Sequence, residues 1–456
     1  MKNLKCILST CLLLFLAFNG KAMTHTAPPD STTNLVDKSA ALLIIEEGKK
    51  MFFEGKVRDA LILFRQSAVK DPNSWRPPYW ISMCHYRLDN YGFALKYAKQ
   101  AVDLDSEIDK DIFELLGKSY HRIGELDSAI MYYTIALNKL NKNQIKDLKI
   151  NERIEECNFA KAQLAVTPFA VKEKIGGEVN SGYNDYAPII ANNGKILYFT
   201  SRRNNTTGGG MNPEEDQYFE DIYKAQWNEE SKSWDSVSNE LDRLNATGFE
   251  AFSHVSKDGL TAYMTINNEA VDEVISTQSS DIFEVQFTTK GKWGSPKKIN
   301  NKSINTSFFD AGATVTADGN TMYFVSNRNA EKKLTDIYVV QKVGKKWGEA
   351  VPVSDSINTV GNEATPFISA DGRYLFFSSD THPGMGGYDI FVSENLGNTW
   401  SKPVNLGAAI NTVNNDTHFQ YYPELKLAVF AGFMLQGQKA SLDIFQLDMT
   451  NFAIKK

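Results

Sequence analysis

The sequence predicts two folded domains, an α-helical repeat array over residues 36–166 and a five-bladed β-propeller over residues 169–456. Two internal repeats carry this prediction. The first has a period near 34 residues and a helical pattern of small and aromatic positions. The second is an Asp-Ile-aromatic triplet that occurs five times at intervals of 53 to 60 residues. A chain of 456 residues has room for about two or three domains, which fits this division.

The N-terminal segment has the pattern of a secretory signal peptide. Lys2 and Lys5 precede an apolar run from Cys6 to Phe18, and the small residues Gly20 and Ala22 follow it. The run is too short to span a bilayer comfortably. We therefore expect cleavage after Ala22 and export of the mature chain.

Residues 1–22 are then the signal peptide and residues 23–35 a disordered linker. A lipoprotein would need a cysteine just after the apolar run, whereas Cys6 and Cys11 lie at its start and middle, which disfavours lipidation. The mature chain keeps Cys84 and Cys157, too few for a disulfide framework, and we expect both to be buried as small apolar side chains.

The first repeat places small residues where two helices must approach closely and larger ones where the next unit packs. No unit can bury its own apolar face, so the units must stack. The equivalent positions in successive units are Gly48, Ser82 and Gly117; Ala60, Ala94 and Ala129; Phe64, Ala98 and Tyr133; and Ser67, Ala101 and Ala136.

This pattern resembles the tetratricopeptide repeat family, most clearly in the unit containing Gly117, Ala129 and Tyr133. We predict three repeats and a capping helix over about Gln144–Leu164, whose outer face is charged.

The resemblance implies that a protein or extended peptide binds along the first helices of the repeats. Several residues on that face are cationic, which makes an acidic peptide a candidate, although the same residues also suit a solvated helix face. The carboxylate-clamp version of the family is disfavoured because Ile45, Met83 and Glu114 occupy some of its positions. The candidate partner-binding residues are Lys49, Phe53, Tyr79, Met83, Arg87, Lys118, His121 and Arg122.

The second repeat has the composition of a four-stranded blade. A tight turn such as Asp371-Gly372 precedes an apolar run, the triplet follows, and a Trp comes after each of the first four triplets. Because the triplet Asp recurs in every unit, we expect it to do a structural job by accepting backbone N–H groups in a turn. The five aspartates are Asp221, Asp281, Asp336, Asp389 and Asp443.

The fifth unit ends without a fourth strand, and the start of the domain can supply it. Residues 174–181 align with residues 405–412, which follow the fourth strand of the fourth unit. We therefore expect the strand 169–175 to pair with the last blade and close the ring, which removes exposed sheet edges. Six blades is the alternative count.

This half resembles WD-repeat-like propellers of the TolB type. The whole chain is similar to exported Bacteroidetes proteins that join tetratricopeptide repeats to such a propeller, including a periplasmic component of the type IX secretion and gliding apparatus. Those longer relatives continue into an OmpA-type peptidoglycan-binding domain, which we do not expect here because this chain stops at its last blade.

The resemblance implies a non-catalytic protein-interaction scaffold at the periplasm or outer-membrane periphery of a Gram-negative bacterium, with envelope proteins or peptides as partners and a role in secretion or outer-membrane assembly. The net charge of −6 argues against nucleic acid as a partner. Neither a cofactor nor a transmembrane segment in the mature chain is predicted, and the oligomeric state stays open.

Two alternatives stay open for the propeller. It could bind or hydrolyse a glycan in its central funnel, which for hydrolysis would require an acidic pair with a raised pKa. It could also be a calcium-stabilised adhesin, with a calcium site in the insert from Arg203 to Glu220.

Overall fold

The computed structural model describes most of the chain. The described residues are 35–105, 110–207, 210–211, 217–241, 243–246, 248–267, 270–271, 274–275, 280–329, 331–436 and 439–453. The predicted signal peptide and nearly all of the predicted linker lie outside them.

The N-terminal domain consists of paired antiparallel helices. In each pair, the helix that comes first forms one layer of the array and the second helix forms the other. The helices are α1 (Leu35–Phe53), α2 (Val57–Lys70), α3 (Arg76–Arg87), α4 (Tyr91–Leu104), α5 (Ile112–Arg122), α6 (Leu126–Lys139), α7 (Lys142–Asp147) and α8 (Ile150–Leu164). None of the described helices has the length and apolar character that a membrane crossing requires.

Close helix contacts explain the small residues of the repeat. A Cβ on Gly117 of α5 would lie 2.6 Å from the Tyr133 ring of α6, so only glycine allows this approach. Where serine replaces a small apolar residue, its hydroxyl is used: Ser82 Oγ donates to Ala94 O at 2.7 Å. The repeated positions therefore hold each helix pair together at short range.

The C-terminal cap is divided in two. α7 starts at a capping box in which Asn141 accepts from the backbone N–H of Gln144. The chain then turns at Lys149, whose φ is +51°, before α8 begins. The single capping helix expected over Gln144–Leu164 is thus a short and a long helix, because this left-handed residue breaks the helical hydrogen-bond pattern.

The C-terminal domain is built from short antiparallel strands. The strands are β1 (Glu173–Lys174), β2 (Asp185–Ala191), β3 (Ile196–Ser201), β4 (Asp221–Asn228), β5 (Ser233–Ser238), β6 (Phe249–Val255), β7 (Thr261–Asn267), β8 (Ala270–Val271), β9 (Val274–Ile275), β10 (Asp281–Gln286), β11 (Lys297–Lys298), β12 (Asp310–Val315), β13 (Thr321–Ser326), β14 (Asp336–Val343), β15 (Lys346–Trp347), β16 (Val351–Pro352), β17 (Glu363–Ile368), β18 (Tyr374–Ser379), β19 (Asp389–Glu394), β20 (Val404–Asn405), β21 (Asp416–Tyr422), β22 (Leu427–Gln436) and β23 (Lys439–Asp448).

These strands form five blades, which confirms the predicted fold class. Blade one is β2-β3-β4-β5, blade two β6-β7-β10-β11, blade three β12-β13-β14-β16, and blade four β17-β18-β19-β20. Blade five is β21-β22-β23 with β1 as its outer strand, where Glu173 lies opposite Gln446 and Lys174 opposite Phe445. The start and the end of the domain therefore share one sheet.

An asparagine side chain joins every blade to the loop that leads into the next. In blade two, Asn305 Oδ1 accepts from Ile282 N at 2.7 Å and its Nδ2 donates to Ile282 O at 2.9 Å. The same two bonds link the triplet isoleucine to an asparagine in all five blades, through Asn245, Asn305, Asn358, Asn411 and Asn180.

The helical array rests on one face of the propeller, with one repeat above each of three consecutive blades. Arg58, at the turn of the first repeat, lies 3.4 Å from Met211 Sδ in blade one. Tyr91, at the turn of the second, lies 6.4 Å from Phe433 of blade five between ring centroids. The third repeat contacts Met385 of blade four. The two domains thus meet along a line of turns.

Candidate functional site

The first two repeats carry a continuous cluster of aromatic rings on their first helices. Trp80 of α3 makes edge contacts with Phe52 at 5.6 Å and with Tyr79 at 5.5 Å. Phe53, at the end of α1, lies 6.0 Å from the same indole and is 73% exposed. An exposed phenylalanine beside a tryptophan leaves apolar ring surface open to a binding partner.

Cations cover the edges of this aromatic cluster. Lys49 Nζ lies 5.4 Å from the Trp80 ring and pairs with Glu46 at 2.7 Å. The exposed Arg87 stacks 5.3 Å above Phe52 and donates to the Phe52 carbonyl at 3.3 Å. Guanidinium and ammonium groups over rings form sites where an anion and an apolar side chain can bind side by side.

The remaining predicted residues divide between the groove and the interior. Lys118 pairs with Glu114 at 3.0 Å and lies 4.7 Å from the Tyr86 ring, which extends the groove to α5. Met83 is half-buried and packs against the apolar clusters on both sides of the second repeat, so packing explains it better than partner contact.

His121 and Arg122 do not lie on an open groove. His121 is 2% exposed, and its Nε2 donates to the Met385 carbonyl of the propeller at 2.8 Å. Burial, with the nearby Arg122 charge, lowers the pKa of His121 to about 3, so the ring stays neutral at physiological pH. The expectation that both residues contact a separate partner is wrong, because the propeller occupies them; spacing within the repeat could not reveal this contact.

Arg122 is the central polar group of the joint between the domains. Its Nη1 donates to the Val413 carbonyl at 2.7 Å, and its own carbonyl accepts from Asn414 Nδ2 at 3.0 Å. A Cβ on Gly387 would lie 2.8 Å from Arg122 Nη1, so the glycine makes room for the guanidinium. Met385 and Val413 also join the apolar cluster of α6 and α8. The third repeat is therefore part of one core with the propeller.

The triplet aspartates are divided between two kinds of partner. Asp221 accepts from Thr207 N, and Asp389 accepts from Met385 N, as expected of a turn carboxylate. The other three pair with lysines: Asp281 with Lys298, Asp336 with Lys332, and Asp443 with Lys174. The expected bond from a backbone N–H is thus present at Asp221 and Asp389, and none of the five aspartates lines the cavity at the centre of the propeller.

A second set of carboxylates, not singled out from the sequence, lies at the first or second residue of each innermost strand. Each is almost fully buried, and in blade five Asp416 Oδ2 accepts from both Thr412 N and Thr412 Oγ1 at 2.6 and 2.8 Å. In blade three Asp310 also pairs with Arg328 at 2.6 Å. The set is Asp185, Glu250, Asp310, Glu363 and Asp416. Its sequence signal is an acidic residue five positions after each of the joining asparagines.

The acidic pair needed for glycoside hydrolysis is only partly present at the centre of the propeller. Glu220 lines the cavity there. Burial raises the pKa of nearby Glu250 to about 8, but this side chain is 1% exposed and is not among the residues that line the cavity.

The other candidate sites are easily placed. Cys84 and Cys157 are free and buried, and burial raises the pKa of both thiols to about 12. Among the described residues, no group of three or more His, Cys, Asp or Glu side chains is arranged to hold a metal ion. The glycines and acids proposed for calcium, residues 208–209 and 214–216, lie outside the described residues.

No family model and no curated protein matches this chain. Among solved structures, the first TPR domain of human RPAP3 is 22% identical over 26% of this chain and 97% of that domain, with a TM-score of 0.24. The Yersinia enterocolitica type III secretion chaperone SycD, in complex with a peptide of the translocator YopD, is 18% identical over 28% of this chain and 99% of its own, with a TM-score of 0.26. The N-terminal domain of C. elegans stress-induced protein-1 is 12% identical over 25% of this chain and 97% of its own, with a TM-score of 0.23.

Proposed function

We propose that this protein is a non-catalytic interaction scaffold of the bacterial cell envelope, which binds a segment of a partner protein in the groove of its first two helical repeats. The observation that carries the proposal is the exposed aromatic cluster with cations at its edges, formed by Phe53, Trp80, Lys49 and Arg87. A site of this composition favours protein segments, because aromatic and arginine side chains are the residue types that dominate binding energy at protein interfaces.

The chemistry of the groove favours a segment that is both acidic and apolar. Arg87 is exposed, and its guanidinium group keeps its positive charge at any physiological pH. Phe53 offers apolar ring surface beside it. A partner side chain such as leucine or phenylalanine would cover the rings, and a neighbouring carboxylate would bind the guanidinium.

The propeller supports the scaffold role because it holds the groove rigidly. Because the third repeat shares a core with blade four, the groove of the first two repeats is held at a fixed orientation above the propeller. A rigid groove loses less entropy on binding than a mobile one. Partner segments would therefore bind to a preorganised surface.

The cellular setting is proposed from the resemblance to exported Bacteroidetes proteins and from the N-terminal signal pattern. We place the mature protein in the periplasm or at the periphery of the outer membrane, where it would act in secretion or outer-membrane assembly. Envelope proteins are then its partners.

The test is capture of envelope proteins on immobilised mature protein, compared with a Lys49→Glu/Arg87→Glu variant. Arg122 stays unchanged, because reversing its charge would break the joint with the propeller. The matched control is Lys257→Glu/Lys345→Glu, which makes the same change of charge at two exposed propeller residues. We expect a specific protein to be retained by wild type and control and lost by the groove variant. Equal retention by all three, or no retention by wild type, would contradict the groove proposal.

A further inference from the structure

A cavity of about 440 Å³ lies at the centre of the propeller, in the half of the channel nearest the array. Its mouth is formed by residues at the ends of strands, such as Asn267, Ser280 and Tyr388. The loops that contact the array lie on the same face. The volume falls within the range of about 300–1,000 Å³ that is typical of small-molecule sites.

The wall of this cavity combines small residues with aromatic rings. Blades two, three and four contribute Ala251, Ala311 and Ala364, and aromatic side chains such as Phe249 and Phe309 also line it. Tyr186 of blade one and His418 of blade five are neighbours there, with ring centroids 5.4 Å apart at an angle of 41°. The cavity therefore offers aromatic surface on which the apolar face of a ring-shaped ligand can stack.

The backbone is unusual at the same level of the channel. The pairing of every innermost strand with its neighbour shifts register in the middle of the strand. Ala187, Thr365 and His418 have φ of +50°, +46° and +55° there, and all three line the cavity. A β-branched residue with positive φ is costly, and such strain clusters where a ligand is held. Backbone strain is therefore concentrated in the residues that line the cavity.

The polar groups of the cavity are mostly neutral. The Asn267 and Gln420 amides and the Ser280 hydroxyl are 5%, 7% and 3% exposed. Arg202 and Glu220 both line the cavity, and their opposite charges offset each other. Burial lowers the pKa of His418 to about 4, so its ring is uncharged at neutral pH. The cavity therefore has no excess of positive charge to favour a phosphate, and its amides and hydroxyls make it too polar for a purely aliphatic ligand.

We propose that this cavity binds a neutral carbohydrate, such as the end of a glycan chain or a short oligosaccharide. A sugar ring has apolar C–H faces that can stack on Tyr186 and His418, and hydroxyl edges that amide and hydroxyl side chains such as Gln420 and Ser280 can bind. The proposal goes beyond the scaffold role: the same face of the molecule would hold a protein segment in the groove and a glycan in the channel.

The experiment titrates the mature protein with short chito-, cello-, malto- and manno-oligosaccharides, followed by saturation-transfer NMR and calorimetry. Ala364→Phe should fill the cavity, and Gln420→Leu should remove an amide at nearly constant volume. Either change should weaken the binding of whichever saccharide binds wild type by about tenfold or more. Glu424→Gln, on the opposite face, should leave binding unchanged, and thermal melting checks that each variant folds.

Three results would overturn the proposal. Wild type could bind none of the saccharides, or binding could survive both Ala364→Phe and Gln420→Leu. Alternatively, unstructured peptides could bind wild type and lose affinity in Ala364→Phe and Gln420→Leu. That result would make the cavity a site for protein segments. The Lys49→Glu/Arg87→Glu variant should bind saccharide as wild type does, so the outcome is separate from that of the groove proposal.

Discussion

The joints that hold the repeats together use different chemistry in the two halves of this chain. In the helical array the joint lies between the two helices of one repeat and is apolar: Tyr133 of α6 packs on Gly117 of α5 with no space for a Cβ, and Tyr133 is fully buried. In the propeller the joints are polar: the Asn305 side chain replaces a strand by bonding both backbone groups of Ile282. An apolar joint depends on shape, whereas a polar joint depends on the identity of one side chain.

The largest loss of stability should come from removing a buried aromatic ring from the array joint. Tyr133→Ala would leave a cavity where a ring of 0% exposure packs against Gly117. We expect a loss of about 3–5 kcal/mol in the free energy of unfolding, by analogy with other large-to-alanine core changes. Denaturant titration measures it. A loss below about 1 kcal/mol would mean that the joint does not depend on shape.

A smaller loss should follow removal of one polar joint in the propeller. Asn305→Ala would leave the N–H of Ile282, a residue of 0% exposure, without its partner, while the Ile282 carbonyl would keep its bond from Ile299 N at 3.1 Å. An unsatisfied buried polar group costs about 1–3 kcal/mol, so we expect a loss of about 1–3 kcal/mol by denaturant titration. Asn300→Ala, at an exposed asparagine of the same loop, is the matched control and should change stability little; equal losses for the two variants would contradict the polar joint.

The same change at the ring closure tests whether all five joints are equivalent. Asn180 makes the two bonds with Ile444 at 2.6 and 2.9 Å, but it joins the start of the domain to its last blade. We expect Asn180→Ala to cost as much as Asn305→Ala and, in addition, to speed proteolysis near residues 169–180, because strand β1 would open locally. Unchanged proteolysis would show that β1 is held by other contacts.

Stability should fall as pH rises from about 6.5 to 8. Burial raises the pKa of Glu250 and of Asp389 to about 8, so the folded protein retains protons that the unfolded chain has lost. The stabilisation is complete below the ordinary pKa of a carboxyl group and is lost as pH rises through 8. The window starts above the ordinary pKa of histidine, since lowered pKa values at His121 and His418 act in the opposite sense below it. Glu250→Gln should reduce the slope; an unchanged slope would exclude this carboxyl group as its source.

The smallest change in stability should come from removing the Tyr133 hydroxyl from the array joint. Within the described part of the chain, the Tyr133 hydroxyl is buried and has no hydrogen-bond partner. Tyr133→Phe keeps the ring and removes an unsatisfied group, so we expect no loss of stability and a gain of up to about 1 kcal/mol. Thermal melting beside Tyr133→Ala measures both. A clear loss for Tyr133→Phe would mean that polarity contributes to the array joint as well.

The contrast between the two kinds of joint also explains which features of the fold could be predicted from the sequence. The five blades could be predicted because the triplet around Ile282 and its copies must keep a fixed relation to the strands. The role of the triplet was less predictable: the recurring aspartate indicated a structural carboxylate, whereas the isoleucine backbone and a distant asparagine make the joint. The asparagines recur at a constant distance before an acidic residue, so a signal existed.

The candidate site was less predictable than the fold. Spacing placed Lys49, Phe53 and Arg87 on one face of the array, where the structure has them near Trp80 and Phe52. It also placed His121 and Arg122 there, although the propeller covers them, since repeat periodicity contains no information on contacts between domains. A central funnel could be predicted from the propeller fold, but the residues that line its cavity could not, because the lining depends on how five strands meet.

The array and the propeller form one cooperative unit through Arg122, Met385 and Val413. Scanning calorimetry of the mature chain tests this cooperativity. We expect a single transition for wild type, and two separate transitions for Arg122→Ala because the joint loses its central polar group. Two transitions in wild type, or a single unshifted transition in Arg122→Ala, would contradict it.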